Sequence, residues 1–181
     1  MARVHIDHVS MCVRDLDVAI ADWTDILDVL SPEHTIQVTR GHGADEVDGT
    51  PMVWATFQNP DPYGVSIQLW GPGAGDTWVQ KVLARRGEFV HHIAFISDDF
   101  GHTIEECKAA GLPLVYPDHD SGPDTAPWLR WNFIPEDKAH GTLIELATRY
   151  MAVGDRWVPH PGNPENAHLE QELRERYPWE A

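Results

Sequence analysis

Two stretches of the chain share one alternation of apolar and polar positions. In Ile6-Asp7-His8-Val9-Ser10-Met11-Cys12, a strand-like period of two puts Ile6, His8, Ser10 and Cys12 on one face. Val9, Met11 and Val13 then share the other. In Val90-His91-His92-Ile93-Ala94-Phe95-Ile96 the same period groups Val90, His92, Ala94 and Ile96 against Ile93 and Phe95. Each copy therefore holds one histidine at the same place on an apolar strand. A helical pattern follows each copy: Leu16, Ala19, Ile20, Trp23, Ile26, Leu27 and Leu30 recur at three and four after a capping Asp15. Phe100, Ile104 and Cys107 do so after Asp98-Asp99, with Gly111 placed to end the helix. Later in each copy an apolar strand carries one inward polar residue, Gln68 within Val65–Trp70 and Glu145 within Thr142–Ala147.

These periods predict two tandem βαβββ modules, residues 4–75 and 88–149, and hence an α+β fold. Within the first, strands are expected at 35–38, 52–57 and 64–70, with Arg40–Gly49 a polar, glycine-rich loop and Asn59-Pro60-Asp61-Pro62 a turn. Thr77–Arg86 reads as a short connecting helix. In the second, strands are expected at 114–116, 128–134 and 143–147, and Pro117–Pro127 is a loop. Residues 150–181 form an extension in which a proline-rich linker, 159–164, precedes a helix over 165–177 carrying Leu169, Leu173 and Tyr177 on one stripe.

Composition narrows the function. The 181 residues carry a formal net charge of −16, which argues against nucleic acid and anionic membrane surfaces as partners. No apolar run approaches a membrane span and no secretory signal opens the chain, and two cysteines offer no disulfide framework, so a cytoplasmic protein is expected.

Four polar side chains held on apolar strands ask for a common partner. Burying two imidazoles, an amide and a carboxylate separately costs on the order of 1–3 kcal/mol each. One divalent ion (Co²⁺, Mn²⁺, Fe²⁺, Zn²⁺ or Ni²⁺) accepts all four donor types, and the pseudo-repeat offers a way to gather them, so His8, Gln68, His92 and Glu145 are the candidate metal ligands. Asp118-His119-Asp120 is read as loop, since adjacent residues rarely aim at one ion. His91 should face away from His92 into packing or a helix contact, and Arg85-Arg86 reads as a solvated surface pair.

The two copies with this ligand set resemble the vicinal oxygen chelate superfamily of glyoxalases, bleomycin-resistance proteins and dioxygenases. Ile6-Asp7-His8-Val9, the double histidine running into the acidic cap at Asp98-Asp99, and Asp137–Leu146 with its Ile-Glu-Leu strand are most similar to methylmalonyl-CoA epimerase. The resemblance implies an open, cupped sheet around one divalent metal, a small-molecule substrate bound through chelating oxygens, and a homodimer. It implies epimerase or isomerase chemistry through a metal-stabilised enolate, with Glu145 at the metal. The family's catalytic glutamate lies two residues before a glycine. Here that place is Val47, flanked by Glu46 and Asp48, which are the candidate bases. Their alternative role is a solvated acidic loop.

Three other readings stand beside this one. Glutamine at position 68 favours an epimerase over a glyoxalase I-like lyase. If Gln68 does not coordinate, His8, His92 and Glu145 make the two-histidine, one-carboxylate face of an extradiol dioxygenase using Fe(II). An acidic chain with eight tryptophans also resembles drug-binding resistance proteins that hold cationic antibiotics without catalysis.

Overall fold

The structure is a computed structural model that describes residues 4–44, 51–61, 63–117, 129–153 and 156–159. In order, the elements are β1 (Val4–Cys12), α1 (Leu16–Leu30), β2 (Val38–Ala44), β3 (Pro51–Phe57), β4 (Ser66–Pro72), α2 (Trp78–Arg86), β5 (Phe89–Ser97), α3 (Phe100–Ala109), β6 (Trp131–Ile134), β7 (Leu143–Thr148), β8 (Tyr150–Val153) and β9 (Arg156–Pro159). The strands form mixed β-sheet: β2, β3, β4 and β1 lie side by side in that order, β6 pairs with β7, and β8 pairs with β9. The α+β class expected from the alternation holds. The chain divides into two compact units, Ile6–Ala94 and Met1–His5 with Phe95–Ala181.

In the unit Ile6–Ala94, register fixes which side chains share a face. β1 runs parallel to β4 with His8 opposite Ser66 and Ser10 opposite Gln68, and β3 runs antiparallel to β4 with Thr56 opposite Gln68 and Trp54 opposite Trp70. Paired residues point the same way, so His8, Ser10, Gln68 and Thr56 lie on one side of the sheet. The opposite side is apolar. There Phe57 and Leu69, both fully buried, pack with Val13 and with Leu27 of α1, and Leu16, Ala19, Ile20 and Trp23 complete the contact. Asp15 starts α1 by accepting from the backbone N–H of Asp17 and Val18. The buried stripe of α1 is narrower than its sequence period suggests, because Ile26 and Leu30 are exposed. α2, opened by a Thr77–Gln80 capping box, buries Val79 and Leu83 against Cys12 and so closes one end of the polar side. Burial there pushes the Cys12 thiol up to about 12, against the pull of Arg86.

Two expectations in this unit are corrected. Residues 32–35 form a 3-10 turn rather than leading into a strand at 35, and β2 extends through Arg40–Ala44, which the glycines mark as loop in sequence. The reason is close approach. Gly41 pairs with Trp54, and a Cβ on Gly41 would lie 2.0 Å from the Trp54 indole, so the strand needs glycine where the ring lies across it.

The unit containing Phe95–Ala181 packs Phe100 and Ile104 of α3 against Leu146 of β7, with Phe95, Leu114 and Ile134 around them. Gly111 at φ +68° ends α3 in a Schellman arrangement, with Leu112 N–H donating to Cys107 O and Gly111 N–H to Lys108 O. The strand expected at 114–116 is absent. Val115 N–H still donates to Phe133 O, but Tyr116 bonds the Asn132 side chain through both its N–H and its carbonyl. A fully buried side-chain amide thus replaces a ladder. β6 begins at Trp131, so the strand predicted from 128 is shorter. The β8–β9 pair falls where the sequence reading placed only an unstructured start to the extension. The predicted helix over 165–177 lies outside the described residues.

Candidate metal centre

The two repeat histidines meet. His8 on β1 and His92 on β5 are both buried, and their Nε2 atoms are 3.0 Å apart. Each ring is held from behind by the residue preceding it. Asp7 accepts from His8 Nδ1 at 2.9 Å, and His91 Nδ1 lies 2.8 Å from His92 Nδ1. His91 sits among the rings of Trp70, Trp78 and Phe89, so the expected helix contact exists through Trp78, but the ring does not turn away from His92 as expected: its Nδ1 reaches back to the His92 ring. The repeat therefore extends to the groups that orient the histidines.

Protonation decides what this pair can hold. A carboxylate only accepts, so His8 carries its proton on Nδ1 and turns the Nε2 lone pair toward His92. Burial, followed by the positive charges that His8 and His91 can carry, holds His92 well below the usual histidine range and therefore neutral. With its single proton on Nδ1, donated to His91, His92 also presents a lone pair. Two facing lone pairs repel unless a cation lies between them; the other tautomer places one proton there instead. The spacing suits an ion. Two nitrogen ligands about 2.1 Å from a metal lie about 3.0 Å apart at a right angle and about 3.4 Å apart at a tetrahedral one. At the observed 3.0 Å both nitrogens could reach one ion.

Gln68 is on β4, half-buried, on the same face as His8 and directly across from Ser10 and Thr56. Glu145 belongs to the other unit, half-buried on β7 opposite Phe133. His8, His92 and Glu145 are donors of the kind a divalent ion takes, two imidazoles and a carboxylate. The candidate bases Glu46 and Asp48, like Asp118-His119-Asp120, fall outside the described residues. Arg85 and Arg86 are exposed as expected, with the Arg86 guanidinium 4.5 Å from the Phe89 ring centroid.

Near these ligands stand four residues to which the sequence assigns no part in the site. Asp7 and His91 were readable, since each copy places a hydrogen-bonding residue immediately before its buried histidine. Ser10 and Thr56 were not, because their place beside Gln68 depends on strand register. If Asp7 orients His8 as described, Asp7→Ala weakens binding of Co²⁺ or Zn²⁺ by about 10–100-fold. Competition against a chromogenic chelator measures this, and unchanged affinity removes Asp7 from the account.

Comparison with known proteins places these features in context. The family model described as the glyoxalase/bleomycin resistance protein/dioxygenase superfamily matches residues 7–126. No curated protein matches the chain. Among solved structures, methylmalonyl-CoA epimerase from Mycobacterium tuberculosis is 26% identical over 80% of this chain and 87% of that one, with a TM-score of 0.58. A variant of the Streptomyces coelicolor methylmalonyl-CoA epimerase in complex with 2-nitronate-propionyl-CoA is 26% identical over 80% of this chain and 96% of that one, at 0.58. A hypothetical protein from Bacillus halodurans, 18% identical over 83% and 97% at a TM-score of 0.59, shares the fold alone. No helix among the described residues is long and apolar enough to cross a membrane.

Proposed function

Since the chain belongs to the glyoxalase/bleomycin resistance/dioxygenase superfamily, we propose that it is a divalent-metal-dependent epimerase or isomerase whose metal ligands are His8, Gln68, His92 and Glu145. The observation that carries this reading is the His8–His92 pair, with facing Nε2 atoms 3.0 Å apart and each Nδ1 engaged by the preceding residue. Similarity to two methylmalonyl-CoA epimerases supports the reaction class.

The substrate is an acyl compound with neighbouring oxygens and an acidic proton beside its carbonyl. A bound divalent ion supplies Lewis-acid polarisation of a substrate oxygen, worth several kcal/mol where negative charge develops. The chain's own groups do the rest. His8 and His92, fixed in orientation by Asp7 and His91, present nitrogen lone pairs without spending rotational freedom on binding. Glu46 or Asp48 takes the proton from one side of the carbon, and return of a proton to the other side completes epimerisation. The net charge of −16 favours a substrate less anionic than a phosphorylated carrier. The protein acts as a homodimer in a reducing compartment, where Cys12 and Cys107 stay thiols.

Deuterium exchange at the α-carbon of 2-substituted acyl substrates tests the proposal. Exchange by the metal-loaded protein that disappears in Gln68→Ala and Glu145→Ala is expected. Dioxygen uptake with a catechol and Fe²⁺, without α-carbon exchange, supports the dioxygenase reading instead, since His8, His92 and Glu145 also make a two-histidine, one-carboxylate set.

A further inference from the structure

Gln68 differs from the other proposed ligands in one chemical respect. An imidazole fixed at Nδ1 has one nitrogen left to offer, but a side-chain amide presents an oxygen that binds metal or an NH₂ that does not, in nearly the same shape. Something must choose between them. The strand register supplies candidates on both sides. Ser10 of β1 and Thr56 of β3 are each directly opposite Gln68, so the three side chains make a row across β1, β4 and β3 on the face that carries His8. Ser10 is 0% exposed and Thr56 3%. Both hydroxyl oxygens are buried without a hydrogen-bond partner among the described residues, Gln68 included. Thr39, next in the row beyond Thr56, has its hydroxyl engaged by Thr56 O and Gln58. Along this row, the hydroxyls without a partner are the two that flank Gln68.

We propose that Ser10 and Thr56 are positioning residues that clamp the Gln68 amide with its oxygen turned toward the metal. The inference rests on the metal-centre reading above. With a metal bound on the β1 side, where His8 lies, Oε1 would turn toward β1 and Nε2 toward β3. Thr56 Oγ1 would then accept from the amide Nε2–H and Ser10 Oγ would donate to the second lone pair of Oε1, giving partners to two hydroxyls that have none in this structure. Strands spaced about 4.8 Å apart put residues two strands away roughly 10 Å from each other. That is too far for both hydroxyls to share one NH₂, but it suits an amide bridging them end to end. Three of the four proposed ligands then have an orienting partner: Asp7 for His8, His91 for His92, and the hydroxyl pair for Gln68.

The test measures metal affinity and stability together in the full chain, by competition of Co²⁺ or Zn²⁺ with a chromogenic chelator and by melting of the metal-free protein. Thr56→Val and Ser10→Ala are expected to weaken metal binding about 10–100-fold. Metal-free Thr56→Val should melt no lower than wild type, because an unpartnered buried hydroxyl is exchanged for an isosteric methyl. Thr56→Ser retains the hydroxyl and should bind metal nearly as wild type does. In a Gln68→Ala background, neither substitution should change affinity further. Weakening that persists without Gln68, or unchanged affinity in both single variants, overturns the clamp and leaves the metal centre standing. A wild-type protein that binds neither ion overturns the metal centre and the clamp with it.

Discussion

His92→Ala is expected to reduce turnover of the metal-loaded protein about a thousandfold or more while leaving the fold intact. A thousandfold corresponds to about 4 kcal/mol of transition-state stabilisation, within what a Lewis-acidic ion supplies to a developing oxyanion. The effect should be large because His92 supplies one of the two facing ring nitrogens. Its Nε2 faces His8 at 3.0 Å, and its Nδ1 is taken up by His91. Removing the ring takes away one ligand and releases His8 from the pair. Stability of the metal-free protein should change far less than turnover. Steady-state kinetics beside a thermal melt separates the two: lost turnover with an unchanged melting temperature fits the site, whereas a collapsed melting temperature assigns His92 to the core.

Phe57→Ala should do the reverse. Phe57 is fully buried beneath α1, against Leu69, Leu27 and Val13, and stands opposite Ile67 on β4. Truncating a phenylalanine in such a core costs about 3–5 kcal/mol from lost transfer energy and the cavity left behind. For a chain of this length that lowers the melting temperature by roughly 10 °C. Chemical denaturation gives the free energy directly. A loss below about 1 kcal/mol means that the apolar side of the sheet relaxes around the gap and does not hold β3 and β4 in register.

The contrast between these residues shows what the chain discloses before it is folded. Alternation along a single strand is local, so His8 and His92 could be assigned to matching faces of matching strands from sequence, and Asp15 and Gly111 marked helix ends where capping chemistry demands them. Relations between strands are not local. Ser10 and Thr56 look like ordinary small polar residues until register sets them on either side of Gln68. Gly41 signals a loop by composition, yet it serves a strand because the Trp54 ring occupies the space of its missing side chain. At 114–116 an apolar stretch suggested a strand, but the Asn132 amide took over the bonding that a ladder would have made. The pairing of β8 with β9 is likewise a relation between strands that no single-strand period announces. Glu46 and Asp48 are known from sequence alone.

X-ray absorption at the metal edge of the Co²⁺-loaded protein tests the paired-imidazole site most directly. Two imidazole nitrogens at about 2.1 Å, falling to one in His8→Ala and to one in His92→Ala, is the predicted result. A first shell of oxygens alone, or one unaltered by either substitution, would contradict it.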